Sequence, residues 1–238
     1  MELLISSTAI SVNGQVLLIY KPLTWTSFQA VNKLRWAIRQ AFGIKKIKVG
    51  HAGTLDPLAT GLLVVCTGKM TKQINTFQGQ EKEYTGTFVL GSTTPSYDLE
   101  TEINETFPTE HITEDLIHNT TKQFTGKTEQ FPPIFSAIKK KGKRLYEFAR
   151  AGETVEIKSR QVEITEFEIT NISGNNIGFR VVCSKGTYIR SLAHDFGKAL
   201  KSGAHLSVLR RTRIGDFKVE DALTPEEFIA TLPEKEQN

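Results

Sequence analysis

Apolar positions along the chain follow two periods. Leu62-Leu63-Val64-Val65-Cys66 is a continuous run, β-branched at its centre and of strand length, and it reads as a buried strand. A second strand is expected over residues 15–20, joined to residues 9–12 by the turn signal Asn13-Gly14 and ended by Lys21-Pro22. The spacing then becomes helical. Phe28, Val31, Leu34, Ile38 and Phe42 recur on one face, Thr26 or Ser27 supplies a cap, and Gly43 closes the helix.

Beyond residue 66, Thr67-Gly68-Lys69 is a turn and a short helix is expected to Phe77. Residues 83–90 read as a strand, 91–111 as a polar excursion containing Pro95 and Pro108, and 113–124 as a weak amphipathic helix. Pro132-Pro133 leads rigidly into an apolar strand, a basic turn and a helix ending before Gly152. The second half is strand-rich, with strands expected at 155–157, 161–169 and 177–183 and a turn at 173–176. A helix follows, with Ile189, Leu192, Ala193, Phe196 and Leu200 on its core face. The last strand is 207–215, and one helical turn is expected near Pro225. No repeat, low-complexity linker or shift in composition marks a domain boundary. Hairpin-linked strands with helices between some of them predict a mixed, largely antiparallel α/β domain.

The stretch from Val49 to Leu63 holds one carboxylate, one imidazole and three internal glycines just before and at the start of the strongest strand. Local chemistry leaves two readings of Asp56. It is an N-cap with Pro57 at the first helical position, or it is a carboxylate held for chemistry in a Gly-punctuated loop.

At 238 residues the chain is one large domain or two small ones, and its 39% hydrophobic and 24% charged residues are those of a soluble globular protein. The formal charge of +4 favours a polyanionic partner without demanding one. Cys66 and Cys183 sit inside apolar runs, far apart, without a Cys-x-x-Cys or Cys/His cluster. Buried thiols in a reducing cytoplasm are expected, and structural zinc is not. Glu2 and the lack of a basic leader argue against a signal peptide, and no apolar run reaches membrane-spanning length.

Two basic regions stand out. Lys33, Arg35, Arg39, Lys45, Lys46 and Lys48 lead toward the Asp56 loop and are either a solvated face or phosphate contacts. Five cations in the six residues from Lys139 to Arg144, with aromatics on either side, are a nucleic-acid-like combination; a basic hairpin tip is the alternative. Nucleotide-cradling Gly-rich loops, a His-Glu-x-x-His site and a Gly-x-Ser-x-Gly elbow are absent from the sequence. Glycosidase chemistry needs two carboxylates about 5–10 Å apart, and the Asp56 loop offers one.

Gly50-His51-Ala52-Gly53-Thr54-Leu55-Asp56-Pro57-Leu58-Ala59-Thr60-Gly61-Leu62-Leu63 resembles the signature of the TruB family of tRNA pseudouridine synthases. Lys21-Pro22-Leu23-Thr24-Trp25-Thr26-Ser27 is similar to the family's first motif, and Lys82-Glu83-Tyr84 to its tyrosine motif. Pro132-Pro133 through Ser136-Ala137, Lys139 and Tyr146 to Gly152 resembles its RNA-binding insertion. Gly186-Thr187-Tyr188-Ile189-Arg190-Ser191-Leu192 and Leu209-Arg210-Arg211-Thr212 complete the set in family order. The resemblance runs from about residue 15 to residue 217.

It implies an α+β pseudouridine synthase fold, a mostly antiparallel sheet flanked by helices with a central catalytic cleft. Residues 1–238 would form a single catalytic domain with an RNA-binding insertion at about 126–153. The implied reaction converts uridine 55 in the tRNA T loop to pseudouridine without metal or cofactor. Uracil leaves as a delocalised anion, so one nucleophilic carboxylate suffices. Asp56 matches the nucleophile, Arg190 the arginine that pairs with it, and Tyr84 the ring that stacks on the target base and is a candidate to remove its C5 proton. His51 matches the histidine that supports the extruded T loop. Tyr188 and Leu209 match pocket-lining residues, and Lys21 a motif lysine nearer support than chemistry. Lys139, Lys140, Arg144 and Arg150 would grip T-arm phosphates. The expected partner is tRNA, with no membrane and no metal, and a monomer is expected in the cytoplasm.

Three departures carry consequences. Thr24 stands where the family has Gly, so that turn is expected to differ. Thr94-Pro95-Ser96-Tyr97-Asp98 departs from Thr-Asp-Thr-x-Asp, leaving the role of this segment open. Few residues follow Gly215, too few for the PUA domain of many members, so greater dependence on the T arm is expected. An RNA-folding factor without catalysis, a nucleoside hydrolase, and a synthase acting on another RNA are the alternative readings.

Overall fold

A computed structural model describes residues 13–136, 138–140 and 142–233. The strand expected over 9–12 lies outside them. The chain divides into two units, one comprising residues 1–84 and 210–238 and the other residues 85–209.

The first unit contains β1 (Val16–Lys21), α1 (Ser27–Ala41), β2 (Val49–His51), β3 (Ala59–Thr67) and α2 (Ile74–Gly79). The first residues of β4 (Lys82–Leu90) and the last of β12 (Ala204–Ile214) also belong to it, with β13 (Phe217–Lys218) and α6 (Pro225–Ala230). β3 is its spine. It runs antiparallel to β1, from Val16 opposite Cys66 to Lys21 opposite Gly61, and to β2, with His51 opposite Val65. From Leu62 to Thr67 every residue of β3 is buried, as a continuous apolar run predicts. One core cluster packs Leu17, Ile19, Leu63 and Val65 against Val31, Leu34 and Ile38 of α1 and Phe228 of α6.

Thr26 caps α1 in a capping box with Gln29, as the sequence suggests. The buried face differs by one residue from expectation. Phe28 is 66% exposed, whereas Ser27, Ala30, Val31, Leu34, Ala37 and Ile38 face inward. The i, i+3, i+4 stripe runs through Ser27, whose hydroxyl is needed inside, and this turns Phe28 outward.

The second unit holds most of β4 and β12, with β5 (Ser92–Thr93), β6 (Glu105–Thr106), α3 (Glu114–Thr121), β7 (Gly126–Gln130) and β8 (Lys139–Lys140). β9 (Lys143–Arg144), α4 (Leu145–Arg150), β10 (Arg160–Ser173), β11 (Asn176–Cys183) and α5 (Ile189–Ala199) complete it. Its sheet order is β12-β4-β11-β10-β7, and β11 and β7 both run antiparallel to β10. Ile189, Leu192, Ala193, Phe196 and Leu200 are all buried, as their spacing predicts. Phe88 stacks on Phe179 with ring centroids 4.1 Å apart, and Phe196 joins them.

Two expected strands do not form. Among the described residues, 134–136 and 138 form no strand after Pro132-Pro133. The carbonyls of Phe131 and Phe135 accept hydrogen bonds from Ser191 and Arg190 instead. Residues 155–157 are also irregular, because the edge of β10 at 160–164 is taken by β7, a polar strand that periodicity does not reveal. The polar excursion at 91–111 contains the small β5–β6 pair. Cys66 and Cys183 are buried, and burial raises the Cys66 thiol pKa to about 11. Among the described residues no helix is long and apolar enough to cross a membrane, and no His, Cys, Asp and Glu group could hold a metal ion.

Candidate active site

Asp56 does not cap a helix. It opens a turn in which Ala59 N–H donates to the Asp56 carbonyl at 3.1 Å, and β3 follows at once. The capping reading fails because residues after Pro57 continue into a strand committed to the core.

The loop between β2 and β3 is fastened at three points. Arg211, 1% exposed, donates from Nε to Leu62 O at 2.8 Å and from its terminal nitrogen to Gly53 O at 3.1 Å. The buried Ser27 hydroxyl accepts from Leu55 N–H at 2.9 Å and lies 3.2 Å from Leu55 O. Lys21, fully buried, donates to Pro22 O at 2.8 Å, Trp25 O at 2.6 Å and Pro57 O at 3.4 Å. Thr24 N–H also donates to Pro57 O, at 2.9 Å. The anchored residues 53, 55 and 57 bracket Asp56, so its backbone has little freedom, while its side chain remains half-buried. Gly53 and Gly61 both have φ of +103°, and a Cβ on Gly61 would fall 2.3 Å from Arg211 O. Side-chain beams thus do more of the positioning than the glycines alone.

Charge inside this unit is dominated by cations. Burial lowers the Lys21 pKa to about 8; Asp56 opposes that shift and Arg211 adds to it. His51 pairs with Val65 at the start of the loop, and its pKa is lowered by burial and by Arg211. The imidazole is therefore neutral at pH 7, a neutral hydrogen-bonding group rather than a charge. Tyr84 is half-buried in β4. Its neighbour Glu83 accepts from the Thr212 hydroxyl at 2.7 Å.

The second unit prepares the other predicted groups. Arg190, 3% exposed in the first turn of α5, donates to Phe135 O at 2.9 Å and Ser96 O at 3.3 Å. Its Nε lies 3.6 Å from Asp98 Oδ2. Asp98 is itself buried, and its other carboxylate oxygen accepts from Glu100 N–H at 3.0 Å. The hydroxyls of Thr94 and Ser96 donate to Asp98 O at 2.6 and 3.1 Å. The segment left open by its departing motif therefore has a structural role, because it surrounds Arg190. Tyr188 is clamped through its backbone by the buried Gln130, at 2.7 and 3.0 Å, and Arg160 lies over its ring at 5.1 Å. Leu209 is buried in β12.

The basic tip is a hairpin, with Lys139 opposite Arg144 and Lys140 opposite Lys143. Lys143 lies over Phe148, and Arg144 and Arg150 over Tyr146. Lys140 reaches Glu156, and Arg150 pairs with Glu100 at 3.2 Å. Lys141 lies outside the described residues.

Within one unit the fold brings Lys21 and Asp56 together, and His51 heads the same loop. Within the other it sets Tyr188 and Arg190 at the start of α5, and Lys140, Arg144 and Arg150 around the hairpin. Lys21 is occupied by three carbonyls, the position of a support. Reading the sequence missed Arg211 and Asp98 as positioning groups. An inward arginine on the apolar side of a strand is the signal for Arg211. A carboxylate retained in an otherwise altered motif is the signal for Asp98.

Solved structures with similar folds define the class. A chain from an H/ACA ribonucleoprotein bound to a substrate RNA containing 2′-deoxyuridine matches with a TM-score of 0.65 and 30% identity, over 90% of this chain and 52% of that one. A chain of a Cbf5-Nop10-Gar1 complex matches at 0.67 and 32% identity, over 90% of this chain and 53% of that one. This chain spans about half the length of either. The fold is that of the pseudouridine synthases, mixed α+β with a mostly antiparallel sheet flanked by helices. Residues 39–189 match the N-terminal domain of TruB family pseudouridylate synthases, and residues 190–237 the C-terminal domain of tRNA pseudouridylate synthase B. The tRNA pseudouridine synthase B of Flavobacterium johnsoniae is 69% identical over 213 residues, covering 89% of this chain and 93% of its own. That of Phocaeicola vulgatus is 56% identical, covering 94% of this chain and 95% of its own. The chain belongs to the TruB family.

Proposed function

We propose that this chain converts uridine 55 in the T loop of tRNA to pseudouridine, with Asp56 as nucleophile and no cofactor. The reading rests on close relatives called tRNA pseudouridine synthase B over nearly their whole length. The observation that carries it is the Asp56 loop, fastened on either side of one part-exposed carboxylate. Residues 1–238 act as one catalytic domain, a cytoplasmic monomer in this reading, with 126–153 as the RNA-binding insertion.

Asp56 attacks the nucleoside, at C1′ of the ribose or C6 of the base. The N1–C1′ bond breaks, the base turns, C5 bonds to C1′, and the bond to Asp56 breaks so that the carboxylate is released unchanged. C5 then loses its proton and N1 gains one, so the mass of the RNA is unchanged. Tyr84 stacks on the base and is the candidate to take the C5 proton. Arg190, held by Asp98 and two carbonyls, contributes a fixed cation that needs no reorganisation during the reaction. His51 supports the extruded T loop as a neutral imidazole. Tyr188 and Leu209 line the base pocket, Lys21 supports it, and Lys139, Lys140, Arg144 and Arg150 hold T-arm phosphates.

The test is pseudouridine mapping of an unmodified tRNA transcript after incubation with purified protein and no added metal. Asp56→Asn is expected to fold and to bind tRNA while losing turnover by at least about a thousandfold. Retained isomerisation by that variant overturns the reading. Release of free uracil would make the protein a hydrolase, and wild-type binding without isomerisation an RNA-folding factor.

A further inference from the structure

Between Lys21 and Gln80 the chain has nine lysines and arginines and one carboxylate, Asp56, although the whole chain is only +4. Folding gathers most of these cations into one groove of about 700 Å³. Arg39 from α1, Lys45, Lys46 and Lys48 from the loop before β2, and Lys69 and Lys72 from the turn at 68–73 line it. All six are exposed, and among the described residues none forms a salt bridge. Arg35 forms part of the wall, donating to Asn32 Oδ1 at 2.5 Å and Val49 O at 3.0 Å. The rest of the lining is Ile47, Gly68 and Thr71, with no carboxylate.

Six like charges in a concavity repel one another and focus a positive potential, whereas a merely solvating face spreads charge over a convex surface. The arrangement suits a polyanion. Helix α1 indicates which one. Phe28 and Trp36, 66% and 59% exposed, share a helical stripe with Asn32, Arg35 and Arg39. Exposed rings interleaved with cations are platforms for bases and grips for phosphates. The stripe starts beside Ser27, which holds Leu55 next to Asp56, and ends at Arg39 in the groove. At about 1.5 Å per residue that is a path of about 18 Å.

We propose that this groove is a second RNA-binding site, taking the sugar-phosphate backbone of the substrate RNA beyond the T loop, with the α1 stripe leading to it. The inference rests on the tRNA reading above. The groove uses charge and shape without reading bases, so it adds affinity more than selectivity.

The test compares wild type with a Lys45→Ala, Lys46→Ala, Lys72→Ala variant, using an unmodified full-length tRNA transcript at several salt concentrations. A Lys122→Ala, Lys198→Ala, Lys218→Ala variant removes the same charge elsewhere. The groove variant is expected to bind at least about tenfold more weakly, with the slope of log K against log salt reduced by about two to three. Its kcat at saturating tRNA stays within about twofold of wild type, and the control variant keeps most of its affinity. Unchanged affinity and slope overturn the proposal, and so does an equal loss in the control variant. A fall in kcat without weaker binding overturns it too, as does tRNA binding that wild type lacks altogether. Groove-dependent binding to phosphatidylglycerol vesicles with untouched tRNA binding assigns the groove to a membrane and overturns it. Pseudouridine mapping runs in parallel: if wild type makes none but the groove variant loses tRNA affinity, the catalytic reading fails and the RNA site stands.

Discussion

The Asp56 loop is held from inside: Arg211 on Gly53, Ser27 on Leu55 and Lys21 on Pro57, each a buried side chain meeting backbone. The hairpin of Lys140, Lys143 and Arg144 is held from outside, by two residue pairs of backbone and by exposed cations lying over Tyr146 and Phe148. Both regions are short and lie between elements of regular structure, but the loop carries one charge and the hairpin several. The difference fits what each would do in the reading proposed above. A nucleophile misplaced by an ångström loses much of its rate, so the loop commits buried polar groups to rigidity. A phosphate grip works over a range of distances, so exposed lysines on a small hairpin suffice, each contributing little to stability.

Arg211→Met is the strongest test of that contrast. It leaves the buried Leu62 carbonyl and the part-buried Gly53 carbonyl without this donor and is expected to destabilise the protein by about 2–4 kcal/mol, with kcat lowered about a hundredfold through a loosened loop. Thermal unfolding and single-turnover kinetics measure both. The matching hairpin variant, Lys140→Ala with Lys143→Ala and Arg144→Ala, is expected to change stability by no more than about 0.5 kcal/mol and to raise the KM for tRNA about tenfold. Loss of fold in the hairpin variant would erase the distinction.

Titration sharpens it next. Lys21 has a folded pKa of about 8 against an ordinary 10.5. Below pH 8 both states carry the proton, and the burial penalty is fully present. Between pH 8 and 10.5 the unfolded chain binds more protons than the folded one, so stability rises with pH across that window. Wild type is expected to gain about 2–3 kcal/mol there relative to Lys21→Met, read from denaturant midpoints at fixed pH. A flat difference would mean that the ammonium is not confined as its contacts indicate.

The smallest effect concerns the turn that braces the loop. Thr24 has φ of +69°, a left-handed conformation that a β-branched residue disfavours, and its N–H holds Pro57 O. Thr24→Gly is expected to stabilise the protein by up to about 1 kcal/mol without changing kcat, offset in part by the extra freedom of the unfolded chain. Destabilisation would show that packing of the Thr side chain outweighs the relief of its backbone.

Local order was legible in the residues themselves. The apolar run of β3, the capping box of α1, the core face of α5 and the turn before β11 all follow from period and capping, which involve neighbours within a few positions. Family motifs made Asp56, Tyr84 and Arg190 visible as a set. Pattern misled in two places where tertiary demands overrode it: Phe28 faces solvent because Ser27 is required inside, and residues 134–136 form no strand because Phe131 and Phe135 give their carbonyls to α5.

What sequence alone determined is therefore the main apolar elements and the set of candidate reactive groups. Tertiary structure decided what supports them. Arg211 meets Gly53 across 158 positions of chain, and Arg190 meets Asp98 across an excursion whose motif has drifted. Periodicity carries no information about such partners, because a buried hydrogen bond depends on which backbone atoms are left without donors once the strands have packed. The same reason hides the basic groove, whose charges are scattered over three segments and become one site only when α1, β2 and the turn at 68–73 come together.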